Sequence, residues 1–422
     1  MARLAGPIGR AGGGARLTQA LGSDVLHRRL ETALAERTQA NGDFFEAEAE
    51  RLARLCHRMA ERFARGGRLI AFGRSPAARS DARHVAVEFV HPVIVGKRAL
   101  PAVGLAGEGG PLATQVALTA EPDDIAIGFG AHEDDGEAAA AIAVARERGC
   151  LTLAFAPAGA EWEFEPPGRD AQVRQELVET LYHVLWELVH VFFDHRGLLE
   201  GRSARRTHDT GASSFLYPFL GEREDDLEAI AADVRRSVLA KAEEVAELRA
   251  QTLTDNRDEL IAAARGVRQD LDAGGCLLAL GNGGSATDAM DAVADFRCPA
   301  EPGWPPRRAM DLTEDPAILT AIANDIGTEA IFSRQVIAHG RAGDALLAIS
   351  TSGSSPNVIA ALAEARARGL RTIAMVGYDG GRVAAERLAD HVVVTRSERI
   401  PRIQEAQASA YHLLRDLVEA AP

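Results

Sequence analysis

One unit is written twice in this chain, and that repetition constrains the fold more than any bulk property does. Gly66 and Gly67 lead into the apolar run Leu69–Gly73, and Gly274 and Gly275 lead into Cys276–Gly281. Further on, Asp124–Phe129 is followed by an Ala-rich helical stretch ending at Arg146-Glu147-Arg148-Gly149. Asp344–Ile349 is followed by one ending at Arg366-Ala367-Arg368-Gly369. Leu151–Phe155 and Thr372–Val376 then repeat the apolar pattern. Short continuous apolar runs are the signature of strands buried on both faces of a parallel sheet. Helical spacing predicts helices over Phe44–Phe63 and Asp258–Leu271 ahead of each unit, and over Val173–Phe193 and Ile403–Ala420 at its end. Strands alternating with helices give right-handed βαβ crossovers. Each half is therefore expected to be α/β, a mostly parallel sheet with helices on both faces.

The chain's 422 residues exceed the roughly 250–300 at which single cores stop growing. Residues 1–20 read as a loose tail without a secretory h-region, 21–193 as the first domain and 223–422 as the second. The linker, 194–222, is rich in Gly, Arg, Ser and Asp and holds Pro218. A net charge of −14 argues against a nucleic-acid partner, which demands a basic face. No apolar run approaches the roughly 18–20 residues that span a bilayer. Cys56, Cys150, Cys276 and Cys298 lie far apart without a CxxC pair, so free thiols in the cytoplasm are expected.

Two loops carry the chemistry. Gly281-Asn282-Gly283-Gly284-Ser285 joins a strand to a helix, where converging backbone N–H groups and the helix dipole favour an anion. Ser350-Thr351-Ser352-Gly353-Ser354-Ser355 follows the strand Asp344–Ile349, at the carboxyl end where open α/β sheets bind ligands. Neither loop holds a Lys and the Rossmann glycine pattern is incomplete, so no nucleotide cofactor is expected. The predicted phosphate ligands are Asn282, Gly283, Gly284, Ser285, Ser350, Thr351, Ser352 and Ser355.

With Leu319–Gly327 (LTAIANDIG), Phe332–Val336 (FSRQV) and Arg402–Glu405 (RIQE), these loops resemble the sugar isomerase (SIS) domains of bacterial sedoheptulose-7-phosphate (phosphoheptose) isomerases over nearly all of Leu227–Ala420. The resemblance implies two tandem flavodoxin-like domains of five strands each and a sugar phosphate ligand. It implies an isomerase that joins a ketose phosphate to an aldose phosphate through an enediol. It also implies a base Glu with a His partner, and a zinc site made of a His, that Glu, a Gln and the partner His.

In the second half those four positions read Asp291, Asp295, Gln404 and His412, so the His/Glu pair has become Asp/Asp. The first half keeps all four as His84, Glu88, Gln175 and His183, but its cradle has become Gly73-Arg74-Ser75-Pro76-Ala77. Pro76 removes a backbone donor, and Gly130-Ala131-His132-Glu133-Asp134-Asp135 places carboxylates opposite. Each half lacks what the other retains. One composite site is therefore expected. Repeat 2 holds the phosphate, Glu88 and His183 are the catalytic pair, and His84, Glu88, Gln175 and His183 bind zinc. The competing readings are a phosphosugar sensor without turnover and an assembly scaffold docking through Phe215, Leu216, Tyr217 and Phe219. The family forms multimers, so a homo-oligomer, two chains giving four domains, is expected.

Overall fold

The computed structural model describes residues 12–93, 97–105, 109–130, 136–194 and 227–421. Residues 195–222 of the expected linker, with the docking cluster Phe215, Leu216, Tyr217 and Phe219, and the acidic run 131–135 lie outside them. Strands β1 (Leu69–Phe72), β2 (Ala102–Leu105), β3 (Ile125–Gly128), β4 (Leu151–Ala154) and β5 (Trp162–Glu163) form one sheet in the order β2-β1-β3-β4-β5. Strands β6 (Leu277–Leu280), β7 (Ala309–Asp311), β8 (Ala345–Ser350), β9 (Arg371–Gly377) and β10 (His391–Thr395) form the other, β10-β9-β8-β6-β7. Every pairing is parallel. Reading the second sheet from β7 gives the same order as the first, the flavodoxin-like 2-1-3-4-5. The chain thus consists of two tandem flavodoxin-like domains.

Burial explains which strands the sequence reveals. All four residues of β1, β3, β4 and β6 are buried, as are all six of β8. The paired glycines have a steric cause. Gly66 and Gly274 adopt φ of +98° and +92°, and a Cβ on Gly67 or Gly275 would collide with the carbonyl of Asp123 or Gly343. In both repeats an aspartate then ties strand to strand. Asp124 accepts from the Arg68 N–H at 2.7 Å, and Asp344 from the Cys276 N–H at 2.8 Å.

Two helices do not respect the expected domain limits. The helix Gly12–Ala64 has 53 residues, about 80 Å of axis, which is longer than one domain core. It buries Leu26 and Leu30 in the core of repeat 2 and Phe44 to Phe63 in that of repeat 1. The helix Leu227–Asp255 buries Ile230, Val234 and Val238 against repeat 1 and Leu253 against repeat 2. Residues 12–20, expected in a tail, are helical, because extending a nucleated helix adds a hydrogen bond per residue fixed. The two cores are interlocked by their first helices.

All four thiols are free. Among the described residues no helix is long and apolar enough to cross a membrane.

Candidate active site

Four helices meet between the sheets with their polar faces inward. The helix Pro76–Val90 begins after β1, capped by Ser75, whose Oγ accepts from the Ala78 N–H at 3.2 Å. The helix Gly284–Arg297 begins after β6 at the glycine loop. The two pack at Ser80, whose hydroxyl donates to the Thr287 carbonyl at 2.8 Å. The closing helices Ala171–Asp194 and Ile400–Ala420 add Gln175, Glu176, Glu179 and His183, and Gln404, Glu405 and His412. Polar groups at this depth are costly unless partnered, so their pairing is informative.

Around His84 the partners come from both repeats. The imidazole nitrogens His84 Nε2 and His183 Nε2 lie 3.3 Å apart, and the Gln404 amide is 3.2 Å from His84 Nε2. Glu88 Oε1 is 3.8 Å from the same nitrogen. His183 Nδ1 and Glu405 Oε1 share a hydrogen bond at 2.9 Å, and Asp288 faces His84 Nδ1 at 3.6 Å. Burial drives the His183 pKa down to about 3, helped by Arg402, and burial with His183 beside it drives that of His84 well below its usual value. Both rings are neutral. The two Nε2 atoms stand within hydrogen-bond reach of each other, and a cation between the rings could take the place of that bond. Glu88 Oε2 and Gln404 Oε1, both buried, have no hydrogen-bond partner. The Gln404 amide also hydrogen-bonds the Glu88 carboxyl. The donors suit zinc: imidazoles held by carboxylates, and oxygens without partners.

The cradle adjoins these groups directly. A Cβ added to Gly284 would lie 2.9 Å from His84 Nε2 and collide with the Gln404 amide. The two predicted phosphate loops face each other. Asn282 and Asn357 exchange side-chain hydrogen bonds at 3.0 and 2.9 Å. Ser352 Oγ lies 3.4 Å from Ser355 Oγ, and Ser350 Oγ accepts from the Gly353 N–H at 3.2 Å. Ser355 occupies the N-cap position of the helix Pro356–Ala367 without a side-chain cap bond. Ser285 is buried at the first turn of its helix.

One expected ligand stands elsewhere. Gln175 does not reach His84; it donates to Asp291 Oδ1 at 2.8 Å, on the opposite side of the paired helices. Each closing helix passes its Gln across to the other repeat, so Gln404, read from sequence as a remnant, takes the place expected of Gln175. At this second position His412 donates Nε2–H to Asp291 at 3.1 Å and Nδ1–H to Glu176 at 2.9 Å. The Tyr411 hydroxyl donates to Asp291 at 2.8 Å, and the Gln172 amide to Asp295 at 2.8 Å. Burial opposes a charge on His412, but those hydrogen bonds and the Asp295 and Glu176 carboxylates raise its pKa well above 6.5. The protonated ring fills the role of a cation there. A cavity of about 450 Å³ opens beside it, lined by Pro76, Phe129, Phe155, Arg174, Gln175 and Asp295. Ser75 is spent on its own helix cap and Pro76 lacks a donor, so among the described residues the rim shows no second glycine-serine cradle.

Sequence reasoning missed Glu405, Glu176, Asp288 and Glu179. The first two had a signal, since a Glu follows the Gln in both closing helices. Glu179 lies one turn before His183, and its counterpart four residues after Gln404 is Ala408.

An anion cradle at the carboxyl edge of a parallel sheet, set against a buried His and carboxylate cluster, defines a phosphosugar-type α/β protein. Residues 242–377 match the SIS domain family. The phosphoheptose isomerase of Nitratidesulfovibrio vulgaris is 41% identical over 187 residues, which are 44% of this chain and 89% of that protein. Among solved structures, the C-terminal domain of glucosamine-fructose-6-phosphate aminotransferase from Francisella tularensis aligns with 92% of this chain and 94% of its own, with a TM-score of 0.58 at 10% identity. Tagatose-6-phosphate ketose/aldose isomerase from Escherichia coli aligns with 93% of this chain and 92% of its own, with a TM-score of 0.53 at 14% identity. At those identities the likeness is one of fold, and it spans both repeats. The chain belongs to the SIS-domain family, and its second repeat is similar to phosphoheptose isomerases.

Proposed function

We propose that this chain is an aldose–ketose isomerase acting on a sugar phosphate of the sedoheptulose 7-phosphate type, with one working site built from both repeats. The observation that carries the reading is the contact of the cradle with the histidine cluster. Gly284 of repeat 2 has no room for a side chain because His84 of repeat 1 and Gln404 occupy it. Hydroxyls of Ser285, Ser350, Thr351, Ser352 and Ser355, with main-chain amides of the Asn282–Ser285 turn, receive the phosphate.

Glu88 is the group that moves the proton between C1 and C2. Burial, with Glu187 nearby, pushes its pKa up to about 8, close to where a group that must both take and return a proton works best. His183, backed by Glu405, serves the substrate oxygens. His84, His183 and Gln404 with a carboxylate, which the family pattern makes Glu88, would hold zinc. Bound there, the metal would polarise the substrate carbonyl. The neutral state of both imidazoles keeps their lone pairs available, and burial excludes bulk water from the enediol.

The sensor reading draws on Asp291 and Asp295 and on the lost cradle of repeat 1, which a composite site does not require. Those residues pair with His412, away from Glu88, so they do not weaken the first site. The test is conversion of sedoheptulose 7-phosphate by the purified full chain, with and without a chelator. Wild-type protein that binds this sugar phosphate but never converts it, with metal supplied, returns the sensor reading to first place.

A further inference from the structure

A ligand that is also the base must serve two purposes at once, and the geometry offers a second carboxylate. The ligand atoms of His84, Glu179 and His183 all lie within 4.8 Å of one another, and all three residues are buried. Glu179 sits one helical turn before His183, on the same face of the helix Ala171–Asp194. It is 4% exposed, and its Oε1 has no hydrogen-bond partner. The carboxylates of Asp288, Glu405, Asp81 and Asp291 all act on it from the surrounding helices. Burial and these neighbours push its pKa well above the usual carboxylate range, and a cation set against the unpartnered oxygen would let it ionise in place.

The chain supplies its own control. At the second position the residue one turn before His412 is Ala408, and there a protonated imidazole replaces a metal. A carboxylate is present one turn before the histidine only at the site whose two imidazoles face each other uncharged.

We infer that Glu179 is the carboxylate ligand of the metal held by His84, His183 and Gln404, and that Glu88 is thereby left free as the base. The inference rests on the isomerase reading and divides the two duties which that reading gives to Glu88. Glu88 Oε1 stands 3.8 Å from His84 Nε2, within reach of a substrate held in the same space.

The test is metal retention, measured apart from turnover. Wild type, Glu179→Ala, Glu179→Gln and Glu88→Gln are loaded with Zn²⁺, dialysed against a graded chelator and assayed for bound metal. Cobalt-substituted samples are compared by visible absorption. Glu179→Ala is expected to weaken metal binding by more than the roughly 10–100-fold that loss of an outer-sphere partner costs. Glu179→Gln is expected to alter the cobalt spectrum. Glu88→Gln is expected to keep the wild-type affinity and spectrum while losing turnover. The isosteric Gln carries the comparison should the Ala variant fail to fold, which far-ultraviolet circular dichroism reports. Wild-type metal affinity in both Glu179 variants, or loss of metal in Glu88→Gln, overturns the assignment and leaves the isomerase intact. Wild type that converts substrate without binding metal overturns it too. A wild type that neither binds metal nor converts the sugar phosphate removes the reading beneath it.

Discussion

The two halves of this molecule make the same framework and finish it differently. Around His84 the histidines are neutral, several buried carboxyl and amide oxygens lack partners, and a glycine-serine cradle closes one side. Around His412 the histidine is charged, Asp291, Glu176 and Asp295 surround it, and the described residues show no second glycine-serine cradle. The difference is one of electrostatic closure. Replacing the His/Glu pair by Asp/Asp supplies anions that hold the remaining histidine as imidazolium, and a self-neutralised cluster has no use for a metal. The second position ties helices together. The first keeps unsatisfied acceptor oxygens, which is how a site differs from a strut.

The largest expected effect falls on Glu88. Glu88→Gln keeps the shape and removes the proton carrier, so turnover of sedoheptulose 7-phosphate should fall by about 10²–10⁴-fold with little change in melting temperature. Steady-state kinetics on the purified variant decide it, and full activity would end the composite-site account. The same substitution logic applied to repeat 2 should leave kcat almost untouched, which is the contrast to be measured.

Next comes stability at the second position. His412→Ala leaves Asp291 and Glu176 buried without their shared cation, and losing one partner of a buried pair costs about 3–5 kcal/mol. The pH dependence has a definite sign. His412 has a raised pKa in the folded state, so its contribution is complete below about 6.5 and is lost as pH rises through the folded value. Glu176 is lowered by Arg37, His412 and Arg249 against the cost of its burial; its contribution holds above about 4.3 and is lost on acidification. Denaturant midpoints of wild type and His412→Ala should therefore converge toward high pH. A gap that widened there would show that His412 is not the cation of this cluster.

Much of this was open to a reader of the sequence. Continuous apolar runs disclosed the strands buried on both faces, and the repeated glycine pairs disclosed the duplication, because both are local consequences of burial and close approach. β5, two residues long, leaves no periodicity to read. The exchange of Gln175 and Gln404 was hidden for a different reason. Spacing along a helix fixes which residues share its face, but which repeat that face meets is decided by docking. Glu179 was hidden because one acidic residue in an amphipathic helix looks like surface until its neighbours are known.

A smaller effect is expected where the loops are tied together. Asn282 and Asn357 exchange two amide hydrogen bonds, each worth about 0.5–1.5 kcal/mol net. Asn282→Ala should loosen the cradle and raise KM for the sugar phosphate several-fold while kcat changes little. A loss confined to kcat would show that the loop bears on the reacting carbons instead of the phosphate.

The smallest effect should be that of Asp295→Asn, and it tests the contrast most sharply because Asp295 occupies the position that Glu88 occupies in repeat 1. If only the first position works, kcat and KM should both stay near wild type; a tenfold fall in kcat would mean that the second position takes part in turnover. The substitution should still be visible in stability. Burial, only partly offset by His412, raises the Asp295 pKa from 3.8 to about 6, so the protonated form is favoured in the folded state. Ionisation then costs the folded protein stability as pH climbs from about 4 to about 6, a cost the uncharged Asn does not bear. The variant's melting temperature should gain on wild type across that interval and hold its advantage above it, provided Asn keeps the hydrogen bond from Gln172. A variant that instead lost ground between pH 4 and 6 would show that ionised Asp295 stabilises this cluster through His412, making the second position a tighter ionic lock than its burial suggests.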